Sequence, residues 1–510
     1  MKAKLPQFLE GKMILIEMLE RHAKETPGKT AIIYHDIRIS YEELNRTVNK
    51  LANALIDSGL RKGDRVGIML PRIPELVISF LAVVKARGIA APVNFELPVE
   101  KVKQVIDAIA PAFLIVSDKS LELAAGAAEG TKTPIVLTEG EDERCMLWHD
   151  LLDKGNPENP DFDIYADAVC YLNYTSGSTG NPKGAVTTHS NIYWNTVASI
   201  EVLKLDPDDI HLCMFAPFAH PHEIFARPIY LGGTMVFVDK VYPKSIAEAI
   251  DKNRVTCMMG LAPMYENLLD MLKHKEYDLS SLRIPESGGM YTRTELIDRF
   301  KKEIGVPIIP VWGSTETTGI ALANRPGEDL KPGSVGKPCP VYDVKIVDEN
   351  DREVPCGEIG EMIFNGPAVV KDYFENSVNG QICFKNEWYY SGDLGKTDDE
   401  GNYYFIERKT GMMKVAGLKV YPLEIELVLI EHPSIKEVAV IPIKDRLRGE
   451  VPRAIIVTTD GEELTKEDVI SFCKTRLSHY KLPRSIEIRQ SLPKIGSGKI
   501  NKKALQMEIV

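Results

Sequence analysis

Between residues 41 and 116 the chain alternates two apolar periods, and this alternation limits its possible folds more than any other feature. Leu44, Val48, Leu51 and Leu55 recur at the spacing of one buried helix face. Val66-Gly67-Ile68-Met69-Leu70 then runs as a short continuous apolar stretch, the pattern of a strand covered on both sides. Helical spacing returns over 74–87, a strand over Ala90-Ala91-Pro92-Val93, a helix over 99–109 and a strand over Phe113-Leu114-Ile115-Val116. Strand, helix and strand in succession predict parallel sheets with helices on both faces, an α/β fold. The pattern resumes at Thr234-Met235-Val236-Phe237-Val238, with a helix from about Ser245 and then Cys257-Met258-Met259.

From about Gly333 the character changes. Strands over 342–347, 360–364 and 403–406 are separated by Gly, Pro and Asp turns, which predicts a small β-barrel part. After Arg408 comes a compact α+β segment: helix 422–431, strands 436–443 and 453–458, helix 465–476 and a lysine-rich tail. At 510 residues the chain exceeds what one core usually serves. The expected division is a large N-terminal domain, 1–408, and a mobile C-terminal domain, 409–510, hinged near Lys409-Thr410-Gly411. The first holds two αβ subdomains to about 330 and the barrel part over about 331–408.

A hydrophobic content of 44% and a charged content of 26% are those of an ordinary soluble protein. The net charge of −11 argues against a nucleic-acid partner, although local lysines and amides can still hold a small anion. The eight cysteines include no C-x-x-C pair, so reduced thiols in a cytoplasmic protein are expected, and no metal site follows from them. Met13-Ile14-Leu15-Ile16 is stopped by Glu17, which disfavours a secretory signal, and no apolar run is long enough for a membrane span.

The stretch Tyr174-Thr175-Ser176-Gly177-Ser178-Thr179-Gly180-Asn181-Pro182-Lys183-Gly184 concentrates glycines, hydroxyls and one lysine. A strand-like run, 168–174, leads in, and a helix-like run follows with Ser190 as its expected N-cap. Glycines let the backbone approach a ligand closely, and free N–H groups can cradle an anion. The stretch therefore reads as a loop that wraps polyphosphate, although it lacks the G-x-x-x-x-G-K-[ST] order of the common P-loop. In isolation such a run would equally suit a solvated Gly/Ser turn.

Further motifs follow in order: Val311-Trp312-Gly313-Ser314-Thr315-Glu316-Thr317-Thr318-Gly319, Tyr390-Ser391-Gly392-Asp393, Glu407-Arg408-Lys409 and Pro493-Lys494-Ile495-Gly496-Ser497-Gly498-Lys499-Ile500. In this order and spacing, from about Leu15 to Leu505, the motifs resemble the adenylate-forming superfamily, which includes acyl- and aryl-CoA synthetases, adenylation domains and luciferases.

The resemblance implies a two-step reaction. A carboxylate attacks the α-phosphate of ATP and pyrophosphate leaves; a thiol then attacks the acyl-adenylate and AMP leaves. It implies that Thr175, Ser176, Gly177, Ser178, Thr179, Gly180 and Lys183 hold the phosphates, that Thr315 donates to the α-phosphate, and that Glu316 holds Mg²⁺. Gly288 and Gly289 would let the nucleotide approach, although Met290-Tyr291 replaces a common Ala-Pro pair. Trp312 and Gly313 would flank the adenine or the acyl pocket. Asp393 would accept from the ribose hydroxyls, as an acceptor-only carboxylate can. Arg408 would reach a ribose hydroxyl or phosphate, Lys414 would join the nucleotide site, and Lys499 would bridge carboxylate and α-phosphate. Gly417 and Lys419 would line the coenzyme A path. At the hinge, Thr410 and Gly411 depart from the usual Asp or Lys.

For the acid, the resemblance implies a pocket of Phe218, His220, Gly260, Gly288, Trp312 and Ile320, with His220 as its gate and a catalytic candidate. Ala219 occupies the place where amino-acid-activating relatives carry Asp. A buried ammonium without a partner is costly, so α-amino acids are disfavoured. His222 and Glu223 would either contact a polar substrate tail or face solvent, and His220 and His222 have no third ligand at zinc spacing. The expected activity is ATP-dependent, AMP-forming ligation of an aliphatic or aromatic acid to coenzyme A. One rival is a stand-alone enzyme loading a carrier-protein pantetheine. Another is a non-catalytic nucleotide-binding protein of the same fold.

Overall fold

The structure, a computed structural model, describes residues 14–175, 183–214, 216–218, 221–374, 383–459, 462, 464–494 and 499–508. The chain divides into two compact units. One comprises Met1–Val344 and Phe364–Tyr389, the other Lys345–Ile363 and Tyr390–Val510.

The first unit contains two large sheets among the described residues. The nine-stranded one runs, in spatial order, Lys337–Pro338, Gly319–Ala323, Ile309–Ser314, Ile284–Ser287, Cys257–Gly260, Ile210–Cys213, Thr234–Phe237, Thr30–Tyr34 and Ile37–Ser40. Its interior pairs are parallel, and the pairs at both margins are antiparallel. The seven-stranded sheet runs Met146–Leu147, Ile135–Leu137, Phe113–Val116, Arg65–Met69, Ile89–Pro92, Val169–Thr175 and Lys183–Thr188. The apolar strand Phe113–Val116 is buried at every position, as its uninterrupted pattern requires. Helix Tyr41–Asp57 begins where Ser40 accepts from the Glu43 amide while the Glu43 carboxylate reaches back to the Ser40 amide. It buries Leu44, Val48, Leu51 and Leu55, the positions read from its periodicity.

Parallel strands set the location of chemistry in such a fold, because ligands bind beyond the strands' carboxyl ends. Ile210–Cys213, Cys257–Gly260, Ile284–Ser287 and Ile309–Ser314 are adjacent in that order in the sheet. Their carboxyl ends lead into the Phe218 segment, Gly260, Gly288-Gly289 and the Thr315-Glu316 turn. Segments separated by up to about a hundred residues of chain thus leave the same edge.

Two expectations need correction. The helix after the glycine- and hydroxyl-rich stretch does not follow it directly. Strand Lys183–Thr188 intervenes, paired antiparallel with Val169–Thr175, and Thr188 rather than Ser190 caps helix His189–Leu203. The Val186-Thr187-Thr188 run is β-branched and suits a pleated strand. In the second unit, the lysine-rich tail contains a strand, Ser485–Arg489, parallel to Gly449–Thr458. That sheet runs Leu418–Val420, Met413–Val415, Gly449–Thr458, Ile435–Asp445, and encloses a core of Val420, Ile425, Leu429, Val440, Ile456 and Val469. A further antiparallel sheet, built of Asp343–Val347, Gly360–Asn365, Trp388–Thr397, Phe384–Lys385 and Tyr403–Arg408, carries the division between units.

Candidate active site

In the first unit the site centres on the turn between strands Ile309–Ser314 and Gly319–Ala323. These strands pair Gly313 with Ile320 and Ser314 with Gly319. They approach so closely that a Cβ on Gly313 would stand 2.4 Å from the Gly319 carbonyl oxygen. Gly313 is thus required by the backbone itself.

Glu316 is buried, and both its oxygens are engaged. The Tyr373 hydroxyl donates at 2.5 Å and the Tyr389 hydroxyl at 3.0 Å. Burial, together with the Glu316 charge, pushes the Tyr373 phenol well above its ordinary range. The Lys183 ammonium lies 5.3 Å from the centre of the same Tyr373 ring, a cation–π distance. Lys183 and Glu316, from different sheets and 133 residues apart in sequence, therefore meet through one tyrosine. The Glu316 carboxylate keeps lone pairs beyond its two phenol bonds and so suits Mg²⁺, a hard cation that takes one or two carboxylates and keeps several waters. Thr315 is buried beside Glu316, and the Thr318 amide donates to the Thr315 carbonyl at 3.0 Å.

Thr175 pairs with Lys183 at the end of the hairpin register. Ser176, Gly177, Ser178, Thr179 and Gly180 lie outside the described residues, as do Ala219 and His220. Trp312 lies flat on Phe364, with ring centres 4.3 Å apart and planes 4° apart. Ile320 is fully buried on the facing strand. A Cβ on Gly288 would stand 2.6 Å from the Met259 methyl carbon, and one on Gly260 3.3 Å from the Tyr265 ring, so both positions mark close approaches. Gly289 has φ +74°, in the left-handed region that glycine reaches at low cost. Phe218 meets the edge of Phe95, 6.1 Å between ring centres.

His222 does not face solvent. It is buried, and its Nε2–H donates to the Thr318 carbonyl at 2.7 Å. Glu223 is enclosed by protein, and burial raises its carboxyl to about 7, with Arg227 opposing and Glu286 adding to the shift. Arg227 itself pairs with Glu286 at 2.8 and 3.0 Å inside the core. Tyr373, Tyr389 and the Arg227–Glu286 pair were not found by reading motifs. Nothing local marks them, since their partners come from distant elements.

In the second unit, Asp393 and Arg408 are register partners on adjacent antiparallel strands. The Arg408 Nε lies 2.8 Å from Asp393 Oδ1, and the carboxylate is almost wholly buried. Lys499 belongs to the same neighbourhood. Burial lowers its pKa, the Arg408 charge adds to that effect and Asp393 opposes it. Asp393 and Arg408 are thus in contact, and Lys499 feels the charge of both. Lys414 and Lys419 are exposed on the hairpin Met413–Val415/Leu418–Val420, with Lys419 3.3 Å from Glu349. Gly417 is at its tip with φ +84°, and an added Cβ would meet no atom within 4 Å. Lys409, next to Thr410, pairs with Glu361 at 2.6 Å.

A second polar cluster lies elsewhere in the first unit. Asp209, His211 and Cys257 bring O, N and S donors within 4.8 Å of one another. Both Asp209 oxygens are already taken, by the Arg283 guanidinium, the Thr256 hydroxyl at 2.6 Å and the Asp206 amide at 2.8 Å. A fixed guanidinium against the carboxylate repels a divalent ion, so the cluster reads as an ion pair within the core.

Comparison with known proteins identifies the family. The model of the AMP-binding enzyme family matches residues 19–374, and that of the AMP-binding enzyme C-terminal domain matches residues 424–499. A feruloyl-CoA synthase of Amycolatopsis sp is 32% identical over 486 residues, covering 94% of this chain and 96% of the relative. The crystal structure of the anthranilate CoA ligase AuaEII with anthranoyl-AMP superposes with a TM-score of 0.90 at 28% identity, covering 99% of each chain. The O-succinylbenzoate coenzyme A synthetase of Bacillus subtilis, solved with ATP and magnesium, gives 0.85 at 27% identity, covering 96% of this chain and 99% of that one. Among the described residues no helix is long and apolar enough to cross a membrane, and all eight cysteines are free.

Proposed function

The chain belongs to the AMP-binding enzyme family and is an AMP-forming carboxylic acid–CoA ligase, and from that premise we propose how its residues divide the work. The observation that carries the reading is that each unit holds a set of its own. Lys183 and Glu316 meet through Tyr373 in one unit, and Asp393, Arg408 and Lys499 gather in the other.

In the first half-reaction, the hydroxyls and amides of 175–180 and Lys183 hold the β- and γ-phosphates. Thr315 donates to the α-phosphate. Glu316 would hold Mg²⁺, which would supply charge neutralisation on the phosphates. Asp393 accepts from the ribose hydroxyls, and Arg408 contacts ribose or phosphate. Lys499 places its ammonium between the attacking carboxylate and the α-phosphate, cancelling the repulsion that opposes attack. The protein contributes alignment and charge rather than a covalent partner. For the second half-reaction, residues 409–510 turn as a mobile domain about Lys409-Thr410-Gly411. Gly417 and Lys419 then line the path of the coenzyme A thiol, and Lys414 stays with the nucleotide.

The acid lies among Phe218, His220, Gly260, Gly288, Trp312 and Ile320, with His220 as the gate. Ala219 offers no anion to an α-amine, so the substrate is an aromatic or aliphatic monocarboxylic acid. Free coenzyme A is the acceptor, and the enzyme works in the cytoplasm. The test is AMP release with coenzyme A across anthranilate, ferulate, hexanoate, decanoate and free α-amino acids. An amino acid as best substrate with coenzyme A inert would replace this reading by carrier-protein loading.

A further inference from the structure

The turn that carries Thr315 and Glu316 is held from behind in an unusual way. Four consecutive main-chain carbonyls, from Thr317 to Ile320, each accept from a side chain. The Tyr342 hydroxyl donates to the Thr317 carbonyl at 2.6 Å. His222 Nε2–H donates to the Thr318 carbonyl at 2.7 Å. The Thr317 hydroxyl donates to the Gly319 carbonyl at 2.7 Å. The Asn195 amide donates to the Ile320 carbonyl at 3.0 Å and also to the Tyr342 hydroxyl at 2.8 Å. His222, Asn195 and Tyr342 are all buried, and they come from helix Pro221–Leu231, helix His189–Leu203 and the segment just before strand Asp343–Val347.

The backbone they grip is strained. Thr318 has φ +56°, a left-handed conformation that is an outlier for a β-branched residue, and Gly319 has φ +131°. The Thr318 hydroxyl is tied to the Ala368 carbonyl at 2.7 Å. Gly319 leaves room for the grip, since a Cβ there would stand 2.6 Å from Glu223 Oε1 and 2.7 Å from Asn195 Oδ1. Strain of this kind persists only where surrounding structure over-determines it, and it gathers at functional sites.

We propose that Tyr342, His222 and Asn195 are positioning residues for adenylation: they clamp the carbonyls of residues 317–320 and so hold Thr315 and Glu316 in the alignment the first half-reaction requires. The inference rests on the assignment of Thr315 and Glu316 given above. None of the three touches the reacting atoms in this account. They act through the turn.

The experiment uses the full chain with Tyr342→Phe, His222→Ala, His222→Gln and, as a reference, Glu316→Gln. Tyr342→Phe removes one hydroxyl and keeps the ring, so the fold is retained. Each variant is measured for ATP–pyrophosphate exchange with the best acid of the panel, for thioester formation from that acid's supplied acyl-adenylate, for Mg²⁺ dependence and for melting temperature. Tyr342→Phe and His222→Ala should lower the exchange kcat by about 10- to 100-fold, the effect of displacing reacting groups by a fraction of an ångström or more. The Mg²⁺ half-saturation should rise, while thioester formation stays within about two-fold of the parent. His222→Gln, whose amide can still donate to the Thr318 carbonyl, should recover most of the exchange rate. A parallel fall of both half-reactions, tracking melting temperature, would mean a structural role alone and overturn the proposal. Full exchange in Tyr342→Phe and His222→Ala beside an impaired Glu316→Gln would overturn the clamp but keep the assignment of Glu316. Full exchange in Glu316→Gln would overturn that assignment and the clamp with it.

Discussion

Glu316 is buried and Glu223 part-buried, and their surroundings differ. Glu316 accepts from two phenol donors and keeps further lone pairs for a cation. Glu316→Gln keeps the size and removes the charge. Adenylation should fall by about 10²-fold, the scale of losing one charge-stabilising group, and the Mg²⁺ requirement should rise. An unchanged metal titration would contradict the assignment. Glu223 sits where burial dominates, between Arg227 and Glu286, and its carboxyl rises from an ordinary 4.5 to about 7. Between those values the folded state binds the proton and the unfolded state does not, so stability falls as pH rises through this window and the cost is complete above pH 7. Glu223→Gln should therefore melt higher than the parent at pH 8, by an amount worth at most about 3 kcal/mol, and the difference should vanish near pH 4.5. Equal shifts at both pH values would refute the titration. His222 and Glu223 together show what motif reading lacks. The sequence states their identities, but whether they face solvent depends on the helix and turn packed against them.

At the scale of elements, the antiparallel hairpins were the hardest features to read. The run from Lys183 to Thr188 is not legible as a strand in sequence, because a short stretch beside a glycine-rich one has no partner in its own sequence. The pairing with Val169–Thr175 is what makes it a strand. The hairpin carrying Gly417 makes a sharper test. Its tip residues Ala416 and Gly417 both have positive φ, +50° and +84°, as a two-residue hairpin turn demands. Gly417→Leu and Gly417→Ala share the backbone penalty of a side chain at positive φ, roughly 1–2 kcal/mol. They differ in bulk. If the thiol path passes Gly417, the leucine variant should accumulate acyl-adenylate and form little coenzyme A ester, while the alanine variant forms appreciably more. Equal ester formation by the two would show that bulk at this position is irrelevant to thiol access.

For the whole molecule, the reaction's two halves are expected to depend on different residues. Lys499 feels the charges of Arg408 and Asp393, and in the proposed division its ammonium serves carboxylate attack on the α-phosphate and not thiol attack. Lys499→Ala should abolish ATP–pyrophosphate exchange and largely spare ester formation from supplied acyl-adenylate; normal exchange would sink the idea. Much of the architecture was legible in advance. Helices 41–57 and 99–109 and strand 113–116 coincide with the observed elements, because each buries a face whose period is written in consecutive residues. The α/β class and the order of motifs also followed from local pattern. Other features could not be read this way. That four motif segments leave one sheet edge depends on strand order, and strand order depends on which surfaces bury each other. The Tyr373 bridge from Lys183 to Glu316, the Asp393–Arg408 register and the clamp of Tyr342, His222 and Asn195 join residues far apart in the chain. Side-chain identity settled what each of these groups can donate, accept or neutralise. Only tertiary packing decided which of them meet, because a hydrogen bond needs its partners within about 3 Å and no linear spacing sets that distance.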